Sequence, residues 1–234
     1  MTLVLPDREP TKDEVSLIKA TTKLREQELE TAKIMTRAAQ SAATKAEIEL
    51  RDAQIEDQFN AAANFRNRTL GFSAPILHET VEQAIDVVSR WHRMEQGKPI
   101  TVRFTSPGGE AIFGLTLFDA LRAIQDEGTP IITVALGQAA SMAAVLLQAG
   151  SERVVGPNSW FLIHEGSGAL KGKMRDMEEQ SAFHKRLGKN MMSILAERST
   201  MTAAEIGRKA KLAEWWLNAD ECIKFGFADR IGYR

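Results

Sequence analysis

One cysteine, Cys222, is all that this chain of 234 residues contains. That excludes an internal disulfide framework and a cysteine-rich zinc site, and it fits a reducing compartment. An excess of charge is missing as well. The 30 Lys/Arg nearly balance 31 Asp/Glu, leaving a net charge of −1. Bulk charge therefore argues for neither nucleic acid nor an anionic membrane surface as a partner. No apolar run approaches the roughly 20 residues that cross a bilayer. The N-terminal MTLVLPDREP turns charged at Asp7, too early for a signal-peptide core. The expectation is a soluble, cytoplasmic protein. The 44% apolar fraction is enough for a sizeable core.

A local absence divides the chain. From Thr11 to Leu70 there is neither Gly nor Pro. That stretch is rich in Ala, Glu, Lys, Gln and Arg, all good helix formers. TKDE at 11–14 reads as a capping start, with Thr11 as N-cap. One or two helices are expected over about 12–64, extending on the order of 75–80 Å if continuous. Nine basic and ten acidic residues between 12 and 66 cancel one another. The apolar positions, among them Leu17, Leu24, Met35, Ala38, Ala42, Ile55 and Phe59, form a thin stripe without a clean heptad. A thin stripe on a long helix asks for a partner. A solvated arm and an oligomerisation or docking helix both remain open. The division predicted is a helical extension over 1–65 and a domain over 66–234.

From residue 67 short strand and helix patterns alternate. TLGF, PITVRFTS (99–106), PIITVALG (130–137), ERVV and WFLIHEG (160–166) read as strands. Residues 78–97, 114–128, 141–150, 174–199, 202–211 and 218–226 read as helices, several closed by Gly. The alternation implies an α/β domain with a mainly parallel sheet. Ligands in such sheets gather at the carboxyl ends of strands. Three features fall there: SPGG at 106–109, Ser141 in GQAASMAAVLLQAG, and His164 after WFLI. A serine at a helix start lies near backbone N–H groups and the positive dipole end. A Gly-Gly turn lets backbone approach a ligand closely. Nucleophile, base and N–H donors are the parts of an acyl-transfer site. Taken singly, each is equally a helix cap, a structural histidine and a plain turn. His78, His92 and His184 fall in predicted helices without ligand spacing and are expected at the surface. Met174, Met177, Met191 and Met192 read as packing residues.

The joint pattern is more specific. TSPGGEAIFGLTLFDALRAI, GQAASMAAVLLQAG, RVVGPNSWFLIHEGSGALKGKMRDM and WWLNADECIKFGFADRIG, in this order and spacing, resemble the family of Clp protease proteolytic subunits (ClpP) over roughly 66–234. The resemblance implies a ClpP/crotonase-type α/β fold and a serine endopeptidase. Ser141 would be the nucleophile, His164 the general base, and the N–H groups of Gly109 and Met142 the oxyanion hole. Glu214 aligns with the third triad member, an Asp in the family; Asp176 and Asp220 are the rivals, Asp220 looking like a helix cap. The resemblance further implies self-assembly into a ring, heptameric or doubled, a polypeptide substrate, and no metal or organic cofactor. The helix at 174–199 would interdigitate between rings, and the segment before it would run beside the bound peptide as a strand. ATP would be used by a separate unfoldase, since the chain lacks a G-x-x-x-x-G-K-[ST] loop.

Three departures from the family stand out: Glu214 for Asp, ASMAA at 140–144 where the family has ASMGA, and the charged arm in place of a short apolar segment that couples to the ATPase. The arm counts against an ATPase partner and suggests a stand-alone peptidase, of the kind a bacteriophage uses on capsid or scaffold proteins. Two other readings remain: a catalytically weak structural ring subunit or scaffold protein, and a crotonase-type acyl-CoA enzyme, which uses turn N–H groups without a paired Ser and His.

Overall fold

A computed structural model of the chain describes residues 11–64, 67–166 and 173–233, without the side chains of 14, 18 and 52–64. Two compact units divide it, Met1–Gln54 and Ile55–Arg234. A single helix, α1 (Lys12–Ala62), begins directly after Thr11, whose carbonyl accepts from the Val15 N–H at 3.0 Å. It runs unbroken because nothing in its sequence removes a donor or demands another backbone region. Thr21, Thr31, Thr36 and Thr44 each turn the hydroxyl back to the carbonyl four residues earlier. Every side chain from 19 to 51 is exposed. The Ile55 and Phe59 side chains lie outside the described residues.

The second unit is the α/β fold expected. Its strands are β1 (Ala63–Asn64), β2 (Thr69–Phe72), β3 (Ile100–Ser106), β4 (Ile131–Ala140), β5 (Glu152–Val155), β6 (Trp160–Ile163), β7 (Trp215–Leu217) and β8 (Arg230–Ile231). Among the described residues they form one sheet in the order β1-β2-β3-β4-β5-β8, with β6 also on β4 and β7 on β6. The pairings are parallel except β1–β2 and β6–β7. The helices are α2 (His78–Met94), α3 (Ala111–Asp126), α4 (Met142–Leu147), α5 (Met174–Glu197), α6 (Ala203–Leu212) and α7 (Ala219–Phe225). Val81, Val88 and Trp91 of α2, Leu117 and Leu121 of α3, and all of α4 join Leu70, Phe72, Val102 and Phe104 in one buried cluster. Alternation along β3 puts Val102 and Phe104 inward and leaves Arg103 and Thr105 on the other face.

The structure corrects several sequence expectations. Strand β4 does not stop at Gly137 but continues to Ala140. Gly137, with φ 71°, sits where β4 leaves β5 and takes up β6, so the glycine marks a change of neighbour and not an end. Helix α3 starts three residues before Gly114, and α4 is shorter than 141–150. The cap of α7 is Asn218, boxed with Glu221; Asp220 lies in the first turn. His92 is not at the surface. It is 8% exposed, with Nδ1 2.8 Å from Thr129 Oγ1 and Nε2 2.8 Å from Glu127 Oε2. Met174 is 74% exposed and does not pack.

The end of the chain is fastened by ions. The buried Arg153 guanidinium donates to both Asp229 oxygens, to Gln148 and to the Gly226 carbonyl, and Arg198 reaches Asp229 from the side. Burial works to raise the Asp229 carboxyl, but the hydrogen bonds and charges of Arg153 and Arg198 outweigh it and hold the carboxyl below its ordinary value.

Candidate active site

Two neighbouring strands end side by side. Ala140 of β4 lies opposite Leu162 of β6, and the Ser141 N–H donates to the Leu162 carbonyl at 2.8 Å. Ser141 is the first residue past β4, and His164 is the first past β6. Both are half-buried. Ser141 takes φ 57° and ψ −122°, a backbone that side chains rarely adopt. Such strain costs on the order of 1–3 kcal/mol and persists only where the surroundings enforce it. Here the enforcers are the strand hydrogen bond before it and the Ala144 N–H, which binds the Ser141 carbonyl at 3.0 Å.

The turn after β3 presses against this serine. Ser106 is buried; its Oγ donates to the Ala74 carbonyl at 2.7 Å and accepts from the Gly108 N–H. The Ile76 N–H binds the Gly108 carbonyl and the Glu110 N–H binds the Ile76 carbonyl, both at 2.9 Å, gripping the turn from outside. Gly108 and Gly109 have φ 95° and 153°. A Cβ on Gly108 would stand 2.7 Å from Ser141 Cβ and 3.1 Å from the Met142 nitrogen. A Cβ on Gly109 would overlap the Ile76 backbone. Only glycine fits either place. Among the described residues, the N–H groups of Gly109 and Met142 have no acceptor. The second is open because it begins α4, where no preceding turn supplies a carbonyl. Gly114 of α3 completes the support, since a Cβ there would overlap the Met142 side chain.

Glu214 approaches from the other side of β6. Strands β6 and β7 pair Ile163 with Trp215, and His164 and Glu214 are the residues that adjoin this last pair on the two strands. The carboxylate is exposed and accepts from Trp216 Nε1 at 3.4 Å. Among the described residues, no hydrogen bond links the side chains of Ser141, His164 and Glu214. Asp176 is exposed in the first turn of α5, and Asp220 lies in α7. The segment expected to run beside a peptide includes 167–172, outside the described residues.

The sequence reading took SPGG at 106–109 as a candidate without giving Ser106 a role of its own, and it missed Ile76 and Gly114. A serine two residues before a Gly-Gly pair is a turn signal that was legible; the other two act through contacts distant in sequence. Cys222 offers no competing nucleophile. Burial, helped by the Glu221 charge, pushes its thiol up to about 12. Among the described residues, no group of three His, Cys, Asp or Glu side chains is placed to hold a metal, and no helix is long and apolar enough to cross a membrane. A groove of about 530 Å³ between α2 and α3, lined by His78, Ile85 and Phe113, includes none of the candidate residues.

Comparison with known proteins identifies the family. Residues 51–234 match the family model described as Clp protease. The chain is 31% identical over 159 residues to "ATP-dependent Clp protease proteolytic subunit 2" of Chlamydia trachomatis, covering 67% of this chain and 74% of that one. It is 31% identical over 140 residues to the proteolytic subunit of Bacteroides thetaiotaomicron, covering 59% and 62%. Against that of Chlorella vulgaris it is 28% identical over 181 residues, covering 76% and 87%.

Proposed function

Because this chain belongs to the Clp protease family, and hence among peptidases, we propose that it is a serine endopeptidase working through an acyl-enzyme inside an assembled chamber. His164 takes the proton of Ser141 as its Oγ attacks the peptide carbonyl. The Gly109 and Met142 N–H groups receive the negative oxygen of the tetrahedral intermediate. His164 then returns the proton to the leaving amine, and water, activated the same way, frees the acyl group. Glu214 orients the imidazole and stabilises its charged form, a role that Glu fills in other serine hydrolases. Its extra methylene, relative to Asp, requires the backbone to sit slightly farther back. No step requires a metal or organic cofactor.

One observation carries the reading. Ser141 is held at φ 57° between a strand end and a turn whose Gly109 N–H, like that of Met142, has no acceptor among the described residues. Strain of this kind at a strand-to-helix turn is the geometry of an exposed nucleophile.

The peptidase domain is assigned to 66–234 and the helical extension to 1–65. The assembly proposed is a homo-oligomeric ring, heptameric or doubled, acting on polypeptides. The relatives carry ATP dependence in their names; for this chain an unfoldase partner stays open, because the arm stands where the family couples to one.

The test is labelling of the full chain by a fluorophosphonate probe, with Ser141→Ala beside it. Labelling of the parent alone establishes an activated serine. Loss of peptide hydrolysis in the variant, on the order of 10⁴–10⁶-fold, then follows. An assembled ring that neither labels nor cleaves overturns the reading in favour of a structural subunit. Glu214, bonded to Trp216 and not to His164, is the observation favouring that alternative. An acyl-CoA enzyme needs no activated serine and would also stay unlabelled.

A further inference from the structure

Of the seven exposed large apolar side chains among the described residues of α1, Leu17, Leu24, Met35 and Leu50 share one face, and Leu29, Ile34 and Ile48 lie off it. That face is made of positions eleven apart: Leu17, Glu28, Ala39 and Leu50; Ala20, Thr31 and Ala42; Leu24, Met35 and Ala46. Eleven residues make close to three helical turns, so these positions stay on one face along the whole arm. A heptad would drift around the helix and demand a left-handed supercoil; this period does not. The face is bare. Leu17, Leu24, Met35 and Leu50 are 67%, 57%, 68% and 61% exposed. A helix of 51 residues draws little stability from its own exposed ion pairs, of which Lys33–Glu30 and Lys45–Glu49 are examples.

The charges beside the face say what covers it. Lys23 and Arg25 lie on opposite flanks of its N-terminal part, and Glu49 and Glu47 on the corresponding flanks of its C-terminal part. If two arms run antiparallel about a two-fold axis beside Thr36, Lys23 meets Glu49 and Arg25 meets Glu47. Glu28, the charged member of the face, comes level with Lys45 at the flank of the other arm. No like charges are opposed along this overlap. In a parallel, in-register pair each of these residues meets its own kind, which is unfavourable. The alanines at 39, 42 and 46 allow the close approach that helices with small contact residues make.

We propose that the arm is a homotypic docking element: it pairs antiparallel with the arm of a second copy of this chain, centred beside Thr36. The interface is isologous, the same patch serving both copies. It is independent of the peptidase reading.

The test is cysteine crosslinking of the full chain under copper–phenanthroline. Cys222 is buried and does not compete. Met35→Cys, beside the axis, is expected to form covalent dimers. Leu24→Cys alone is not, because its copy lies about 36 Å away in the antiparallel register. Leu24→Cys/Ala46→Cys is expected to crosslink again. Arg25→Glu in the Met35→Cys background should lower the dimer yield several-fold, and adding Glu47→Arg should restore it. Crosslinking by Leu24→Cys alone as fast as by Met35→Cys overturns the antiparallel register. Absence of Met35→Cys dimers overturns the pairing itself. Failure of the charge swap to restore yield overturns the assignment of partners. Fluorophosphonate labelling of the same samples reports on Ser141 separately, so a failed peptidase reading and a failed arm proposal are distinguishable.

Discussion

The helical arm and the α/β domain answer the same problem of chain entropy in opposite ways. The domain orders its backbone by burying side chains from distant parts of the sequence. Trp91, Phe104, Leu147 and Phe227 are sealed in one cluster, and even charged groups such as Arg153 find partners some 76 residues away. The arm orders as many residues as a small domain would and buries none of its side chains between 19 and 51. Its helix is encoded locally, by propensity and the absence of breakers. On the pairing proposed for it, a second copy of the chain completes it. Intrinsic propensity therefore suffices to specify a helix without supplying the stability that a core supplies.

That contrast yields measurements ordered by size. All four tryptophans, Trp91, Trp160, Trp215 and Trp216, lie in the domain. Fluorescence thus reads the domain, while far-ultraviolet dichroism also reads the arm. Asp229→Ala strands the buried Arg153 charge and should cost about 3 kcal/mol in urea unfolding followed by fluorescence. The same ion cluster predicts a pH effect. The Asp229 carboxyl is held below its reference value of 3.8, so its contribution is complete above that value and is lost as pH falls through the lower folded value. Domain stability should decline on acidification below about pH 4, less steeply in Asp229→Asn. Leu147→Ala, at a fully buried position, should cost roughly 3 kcal/mol through lost transfer energy and the cavity. Thr202→Ala removes the reciprocal cap with Glu205 on α6 and should cost about 1 kcal/mol. Leu24→Ala in the arm should shift fluorescence-detected unfolding by less than about 0.5 kcal/mol. Its effect on helicity should grow with protein concentration, because only paired arms bury that leucine. A large, concentration-independent effect on the domain would erase the distinction between the two regions.

Legibility in the sequence followed the same line. The arm was readable end to end, because Gly- and Pro-free composition is a local signal. The alternating strands and helices of the domain were readable for the same reason, and so were the positions of Ser141 and His164 near strand ends, on which the proposed chemistry rests. What escaped reading depends on contacts across the fold. The buried state of His92 is decided by Glu127 and Thr129, which no helical pattern announces. Strand β7, with its two adjacent tryptophans, is a strand because β6 lies beside it. Gly137 reads as a stop and instead lets one strand change partners. The aligned position of Glu214 was legible; its hydrogen bond to the Trp216 indole was not.

The Gly108–Gly109 turn has a consequence for mutational mapping. A side chain on it would run into Ser141 and the Met142 nitrogen on one side, and into the Ile76 backbone on the other. A substitution scan scored only by protein abundance would mark both glycines as intolerant, although neither has a side chain to take part in a reaction. Ser141 would give the opposite signature: replacement by glycine relieves its backbone and is tolerated by abundance while the hydroxyl is lost. Comparing the two scores at each position would separate residues that shape the site from the one proposed to react.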